Sequence, residues 1–101
     1  MWVIVMFDLP TGSKDERKRY TDFRRGLLDS GFIQLQYSVY ARYTSSPEKA
    51  ETIHNRIVRN LPQKGEVRLL SMTDNQFSRM QVFREKTRQK TEKEPDQLVF
   101  F

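Results

Sequence analysis

Asp8 is the side chain in this sequence best placed to do chemistry. It closes Trp2-Val3-Ile4-Val5-Met6-Phe7, a run of apolar residues, and Leu9-Pro10 follows it. A carboxylate at the rim of an apolar segment is costly unless water, hydrogen-bond donors or a cation satisfy it. Two readings follow. Asp8 initiates the turn that Asp-Leu-Pro begins, or it is a metal-binding or catalytic carboxylate. A hard cation such as Mg²⁺ takes oxygen ligands, and one or two carboxylates suffice where phosphates supply the rest. Bound there, it would polarise a phosphoryl group and activate water. No second acid can be assigned to this strand end from sequence, and no His-x-His or Asp-x-Asp pattern accompanies it. The hydroxyls of Thr11, Ser13 and Tyr37 would join Asp8 only if the fold brings them there.

The second group with chemical potential is basic. Lys14, Arg17, Lys18, Arg19, Arg24 and Arg25 lie among Asp15, Glu16, Asp22 and Asp29. They form either a solvated helix face with acid–base pairs at helical spacing or a ridge that binds phosphate, which the planar guanidinium fork suits. Lys14, Arg17, Lys18, Arg24 and, further on, Arg79 are the candidate phosphate contacts. Nothing resembles a recognition helix, so base readout is not expected. Lys plus Arg is 18 against 13 for Asp plus Glu, a formal charge of +5, which suits an anionic partner.

The elements that must position these residues can be read in order. Trp2 to Leu9 is a strand that Pro10 stops, because proline cannot donate to a sheet ladder. Trp2, Ile4, Met6 and Asp8 share one face, and Val3, Val5 and Phe7 share the other. Ser13 and Glu16 have capping-box spacing and open a helix. Its apolar stripe is Tyr20, Phe23, Leu27 and Leu28, and Gly31 ends it. Phe32 to Tyr43 is β-rich and breaks near Gln36 to Ser38 into two strands. Phe32, Gln34, Gln36, Ser38 and Tyr40 would share one face, and Ile33, Leu35, Tyr37, Val39 and Ala41 the other. Ser46 and Pro47 start a second helix with Ala50, Ile53, Ile57, Val58 and Leu61 inward and His54 beside that stripe. Glu66 to Met72 is a strand, Thr73 to Arg79 a short helical turn, and Met80 to Arg84 a further strand. Residues 85–96 read as a charged linker, and Leu98-Val99-Phe100-Phe101 as a segment that docks on a sheet edge.

A chain of 101 residues supports one modest core. No stretch is long and apolar enough to span a membrane. The first residues lack the flanks of a signal peptide. With no cysteine there is no disulfide or thiolate metal site, as a reducing cytoplasm would permit. The order strand, helix, strand, strand, helix, strand is the α+β ferredoxin-like βαββαβ pattern, here over residues 1–84 with an additional C-terminal strand, and residues 85–101 form a tail. Two helices cover one sheet face only. The first strand is apolar on both, so a homodimer joined through the open sheet faces is expected.

Phe7-Asp8-Leu9-Pro10 at a strand end, Gly31 followed by Gln36-Tyr37-Ser38-Val39-Tyr40, and this element order together resemble the CRISPR-associated protein 2 family, over roughly residues 1–84. The resemblance implies the small subunit of the spacer-adaptation machinery. Such a subunit is a homodimer that bridges dimers of the CRISPR integrase subunit and holds duplex DNA. It also implies, as an alternative, a magnesium-dependent endonuclease acting on RNA or double-stranded DNA, with Asp8 of each protomer as the metal-binding residue.

Overall fold

The structure, a computed structural model, describes residues 1–95. Strand β1 (Trp2–Asp8) leads to helix α1 (Lys14–Asp29), strands β2 (Ile33–Gln36) and β3 (Val39–Tyr43), helix α2 (Pro47–Arg59) and strand β4 (Glu66–Met72). These build a four-stranded antiparallel sheet in the order β2-β3-β1-β4. That is the ferredoxin-like arrangement the element order implies. The expected docking segment, Leu98 to Phe101, lies outside the described residues.

Local chemistry sets the helix ends. Ser13 Oγ accepts from the Glu16 N–H at 3.1 Å, and Glu16 Oε1 accepts from the Ser13 N–H at 2.9 Å. This capping box satisfies two of the orphan donors at the start of α1. At the other end Gly31 takes φ +86°. Its N–H bonds Leu28 O, and the Phe32 N–H bonds Leu27 O at 3.0 Å. That is a Schellman closure, and the buried side chains of Leu27 and Phe32 complete it. Arg42 donates to Ser30 O at 2.6 Å, adding a cation where the helix dipole is negative. Ser46 caps α2 and Pro47 occupies its first turn.

Val3, Val5 and Phe7 of β1 pack with Leu27, Tyr40, Ala50, Ile53 and Ile57 under the two helices. Val58 and Leu61, expected in the α2 stripe, are exposed, as is Leu28 of α1. Leu28 and Val58 each follow a buried residue by one position and rotate past the sheet contact, and Leu61 lies beyond the end of α2, so the buried stripe is narrower than the apolar pattern.

The opposite face corrects the expectation that only a second copy could cover it. Thr73 caps a five-residue helix α3 (Asp74–Ser78) through a second capping box with Gln76. Its Phe77 stacks on Trp2 with ring centroids 3.9 Å apart and planes 9° apart. Trp2 and Ile4 are therefore only 3% and 6% exposed within one chain. The rest of that face stays open. Met6, Leu35, Val39, Leu70, Met72, Met80 and Val82 line a groove of about 270 Å³, and Leu70 is 48% exposed.

Beyond α3 the expected strand forms as β5 (Val82–Arg84), but the expected charged linker is not all linker: it turns back at once as β6 (Thr87–Gln89) and closes a hairpin with β5. Glu85 and Lys86 both take positive φ, 52° and 67°, as a two-residue hairpin turn of the mirrored type requires. Neither is the Gly, Asn or Asp that usually marks such a turn, so composition concealed it.

Tyr40 is fully buried, and its hydroxyl has no hydrogen-bond partner among the described residues. An unmade buried hydrogen bond is destabilising. Tyr40→Phe is therefore expected to raise stability by about 1 kcal/mol, seen as a higher denaturant midpoint at unchanged slope. A lower midpoint would mean that the hydroxyl has a partner.

Candidate functional site

The C-terminal end of β1 is held from both sides. On one side β4 runs antiparallel, with Asp8 directly opposite Glu66 and Met6 opposite Arg68. Directly opposed residues share a face, with Cβ atoms about 5 Å apart. Asp8 and Glu66 thus leave the sheet together on the open face. Both side chains are exposed. Glu66 Oε1 accepts from Arg68 Nε at 2.6 Å. That pair is open to solvent at both ends and contributes little to stability, so Glu66 can be recruited elsewhere at small cost. Glu66 is the acid that could not be assigned from the sequence. Its signal was the pairing register of two strands almost sixty residues apart, which the local pattern does not carry.

The approach of β4 depends on Gly65. It takes φ +88°, and a Cβ there would stand 2.6 Å from the Asp8 carbonyl oxygen and 2.7 Å from Leu9 Cδ2. Glycine is needed for both the backbone angle and the space.

On the other side of β1 the Phe7 N–H donates to Ser38 O at 3.1 Å. Ser38 sits at φ 60° in the two-residue link between β2 and β3. Strict alternation would place Tyr37 with Leu35 and Val39. The link turns it instead to the helix side, where its ring stacks on Tyr20 of α1 at 6.3 Å and 23°. Tyr37 remains 79% exposed. The Tyr20 hydroxyl lies 3.3 Å from Ser38 Oγ, and the Tyr20 ring leans on Phe7 at 5.7 Å. Hydrogen bonding with Tyr20, then repulsion from it, hold the Tyr37 hydroxyl above the usual phenol range, so it is neutral at physiological pH. Of the three candidate hydroxyls, Tyr37 thus lies at this end of the sheet but on the helix side, away from the open face of Asp8, while Ser13 is occupied by its helix cap.

The basic residues divide. Lys14 and Arg17 are exposed at the start of α1, and Arg24 is half-buried on the same helix. Arg17 Nη1 donates to Thr11 O at 3.2 Å and Gly12 O at 3.4 Å, which ties the turn after Asp8 to the helix. Lys18 pairs with Asp22 at 3.0 Å across one helical turn, both exposed, so here the solvated-face reading holds. Arg79 caps the C-terminus of α3, on the opposite sheet face from α1, and does not join the other four.

Among the described residues no group of three or more His, Cys, Asp or Glu side chains is arranged to hold a metal. The Asp8–Glu66 oxygens fit a hard divalent cation in the narrower sense that carboxylates share it with phosphate oxygens and water. Among the described residues no helix is long and apolar enough to cross a membrane.

A small antiparallel α+β sheet with two helices on one face and an acid pair at the end of its first strand defines a ferredoxin-like protein with a polar, oxygen-rich sheet end. The family model described as "CRISPR associated protein Cas2" matches residues 1–80, and the chain belongs to that family. A protein of Parvibaculum lavamentivorans named "CRISPR-associated endoribonuclease Cas2" is 50% identical over 101 residues, all of both chains. Proteins of the same name from Paracidovorax avenae and Flavobacterium psychrophilum are 43% and 42% identical over the whole of this chain, covering 94% and 88% of theirs. The crystal structure of Streptococcus pyogenes Cas2 at pH 6.5 superposes with a TM-score of 0.60 at 21% identity, over 82% of this chain and 99% of that one. At that identity the likeness concerns the fold.

Gly65→Ala is expected to destabilise the protein by about 3 kcal/mol, the sum of an unfavourable positive φ and an overpacked contact. Denaturant unfolding measures it. Gly12→Ala, where a Cβ meets only a flexible Glu16 oxygen at 3.4 Å, should cost far less.

Proposed function

We propose that this chain is a homodimeric CRISPR-associated endoribonuclease in which Asp8 is the catalytic carboxylate. The observation that carries the reading is the placement of Asp8, exposed at a strand end and opposed by Glu66 across the β1–β4 pair. The name shared by relatives up to 50% identical over the full length supports RNA as the substrate. Asp8 would hold Mg²⁺, and Glu66 stands where it could share the task. The ion, when bound, would supply Lewis-acid polarisation of the scissile phosphate. The chain's own part is to orient that phosphate against the carboxylates and to counter its charge with Lys14, Arg17 and Arg24.

The dimer reading draws on the open sheet face. The groove from Met6 to Val82 is apolar, and Leu70 and Ile33 beside it are exposed. A second copy laid face to face on a two-fold axis would bury this surface twice. It would also bring two Asp8 ends into one assembly.

A second reading has its own support. The +5 charge and the exposed cations of α1 suit a subunit that holds duplex DNA while bridging dimers of the CRISPR integrase subunit. Phosphate contacts of that kind would weaken steeply with salt.

Asp8→Ala separates the two. The endoribonuclease reading expects Mg²⁺-dependent RNA cleavage to fall roughly a thousandfold or more, because several kcal/mol of charge stabilisation is lost. Dimer mass and spacer integration should be unchanged. Cleavage equal to wild type would end that reading. Leu70→Arg on the open face is expected to convert a dimer to a monomer in sedimentation; an unaltered dimer would place the interface elsewhere.

A further inference from the structure

We propose that the exposed ring of Tyr37 is a stacking platform for an unpaired nucleobase of the nucleic acid engaged at this sheet end. The proposal rests on the nucleic-acid reading above and adds to it a residue that would hold a base.

The case begins with what makes Tyr37 unusual. A tyrosine left 79% exposed would ordinarily be free to change rotamer. This one is held. Ser38 next to it is fixed in the left-handed region at φ 60° by the bond from the Phe7 N–H to its carbonyl. The Tyr37 ring runs nearly parallel to Tyr20, 6.3 Å away between centroids and at 23°, and Tyr20 is braced in turn by Phe7 and Ser38. A ring on a constrained backbone, with most of its surface open, loses less entropy when a planar group lands on it than one on a free loop.

The surroundings supply the second half of such a site. Arg17, Tyr20 and Arg24 stand at i, i+3 and i+7 of α1, one stripe of the helix. Tyr20, with Tyr37 beside it, therefore sits between two arginines along the helix, and the Arg17 guanidinium reaches the Thr11 and Gly12 carbonyls. Alternating stacking surface and cations is how proteins follow a single strand: bases lie on the rings and phosphates on the cations, without reading sequence. In a duplex the bases are already stacked on one another and cannot reach the ring. The neutral Tyr37 hydroxyl adds no repulsion toward a phosphate. The platform is also on the helix side of the sheet, so a dimer through the opposite face leaves it open. A strand stacked there would pass the end of β1, where the Ser38 link abuts Phe7 and Asp8 follows.

The test uses the full chain, a single-stranded RNA oligonucleotide carrying 2-aminopurine, and its duplex with an unlabelled complement. Wild type is expected to quench 2-aminopurine in the single strand. Tyr37→Ala should weaken single-strand binding roughly tenfold or more, from the known effect of removing one stacking ring, with loss of quenching and duplex affinity within about twofold. Tyr37→Phe should bind like wild type, because the ring and not the hydroxyl is used. Tyr37 is exposed, so the variants should keep the wild-type circular dichroism. The proposal fails if Tyr37→Ala binds the single strand normally, if it loses single strand and duplex alike, or if Tyr37→Phe is as weak as Tyr37→Ala. Failure of wild type to bind either probe would overturn the nucleic-acid reading itself.

Discussion

The structure depends on a strand that is apolar on both faces and hydrogen-bonded along both edges. Val3 and Val5 have no exposure and Trp2 and Ile4 have little, while β3 and β4 flank them on either edge. Burial of side chains this size is worth roughly 2 kcal/mol each, and it is gained only if both faces are roofed. Helices α1 and α2 roof one. On the other, α3 folds back so that Phe77 can lie on the Trp2 ring. The remainder of the molecule is arranged around these demands.

Asp8 takes its meaning from where that strand stops. Inside the sheet a carboxylate would be uncompensated; at the end of β1 it is solvated and faces Glu66 across the ladder. Two constrained backbone positions keep the end in place. Gly65 lets β4 close on the Asp8 carbonyl, and Ser38 seats the β2–β3 link against Phe7. The acid pair is therefore set by main-chain geometry on rigid strands, not by a loop.

The two sheet faces serve different ends in this reading. The helix face carries the arginines and the Tyr20–Tyr37 stack, and it stays available. The open face keeps an apolar groove that α3 leaves uncovered. The split accounts for how one small chain could associate with a copy of itself and still present a basic, aromatic surface outward. The acid pair lies at the end of the open face.

Much of this was written locally. The both-sided apolar run, the Ser13–Glu16 and Ser46–Pro47 helix starts and Gly31 are short-range patterns, and each follows from periodicity or capping within a few residues; the break near Gln36 to Ser38 followed only from the length of the β-rich run. They determined the ferredoxin-like order and the position of Asp8. What they could not carry was anything that depends on two distant segments meeting or on a turn without its usual residues. Glu66 became a partner of Asp8 only through the antiparallel register. Phe77 covered Trp2 only because α3 folds back over the sheet, and a five-residue helix has no stripe long enough to announce its partner. Tyr37 left its expected face because one residue in the left-handed region rotates the chain, and Glu85-Lys86 closed a hairpin that their side chains do not favour. Sequence settles what each segment prefers, since those preferences act over one or two turns of chain. The fold settles which side chains share a site, since that is decided by long-range pairing and packing.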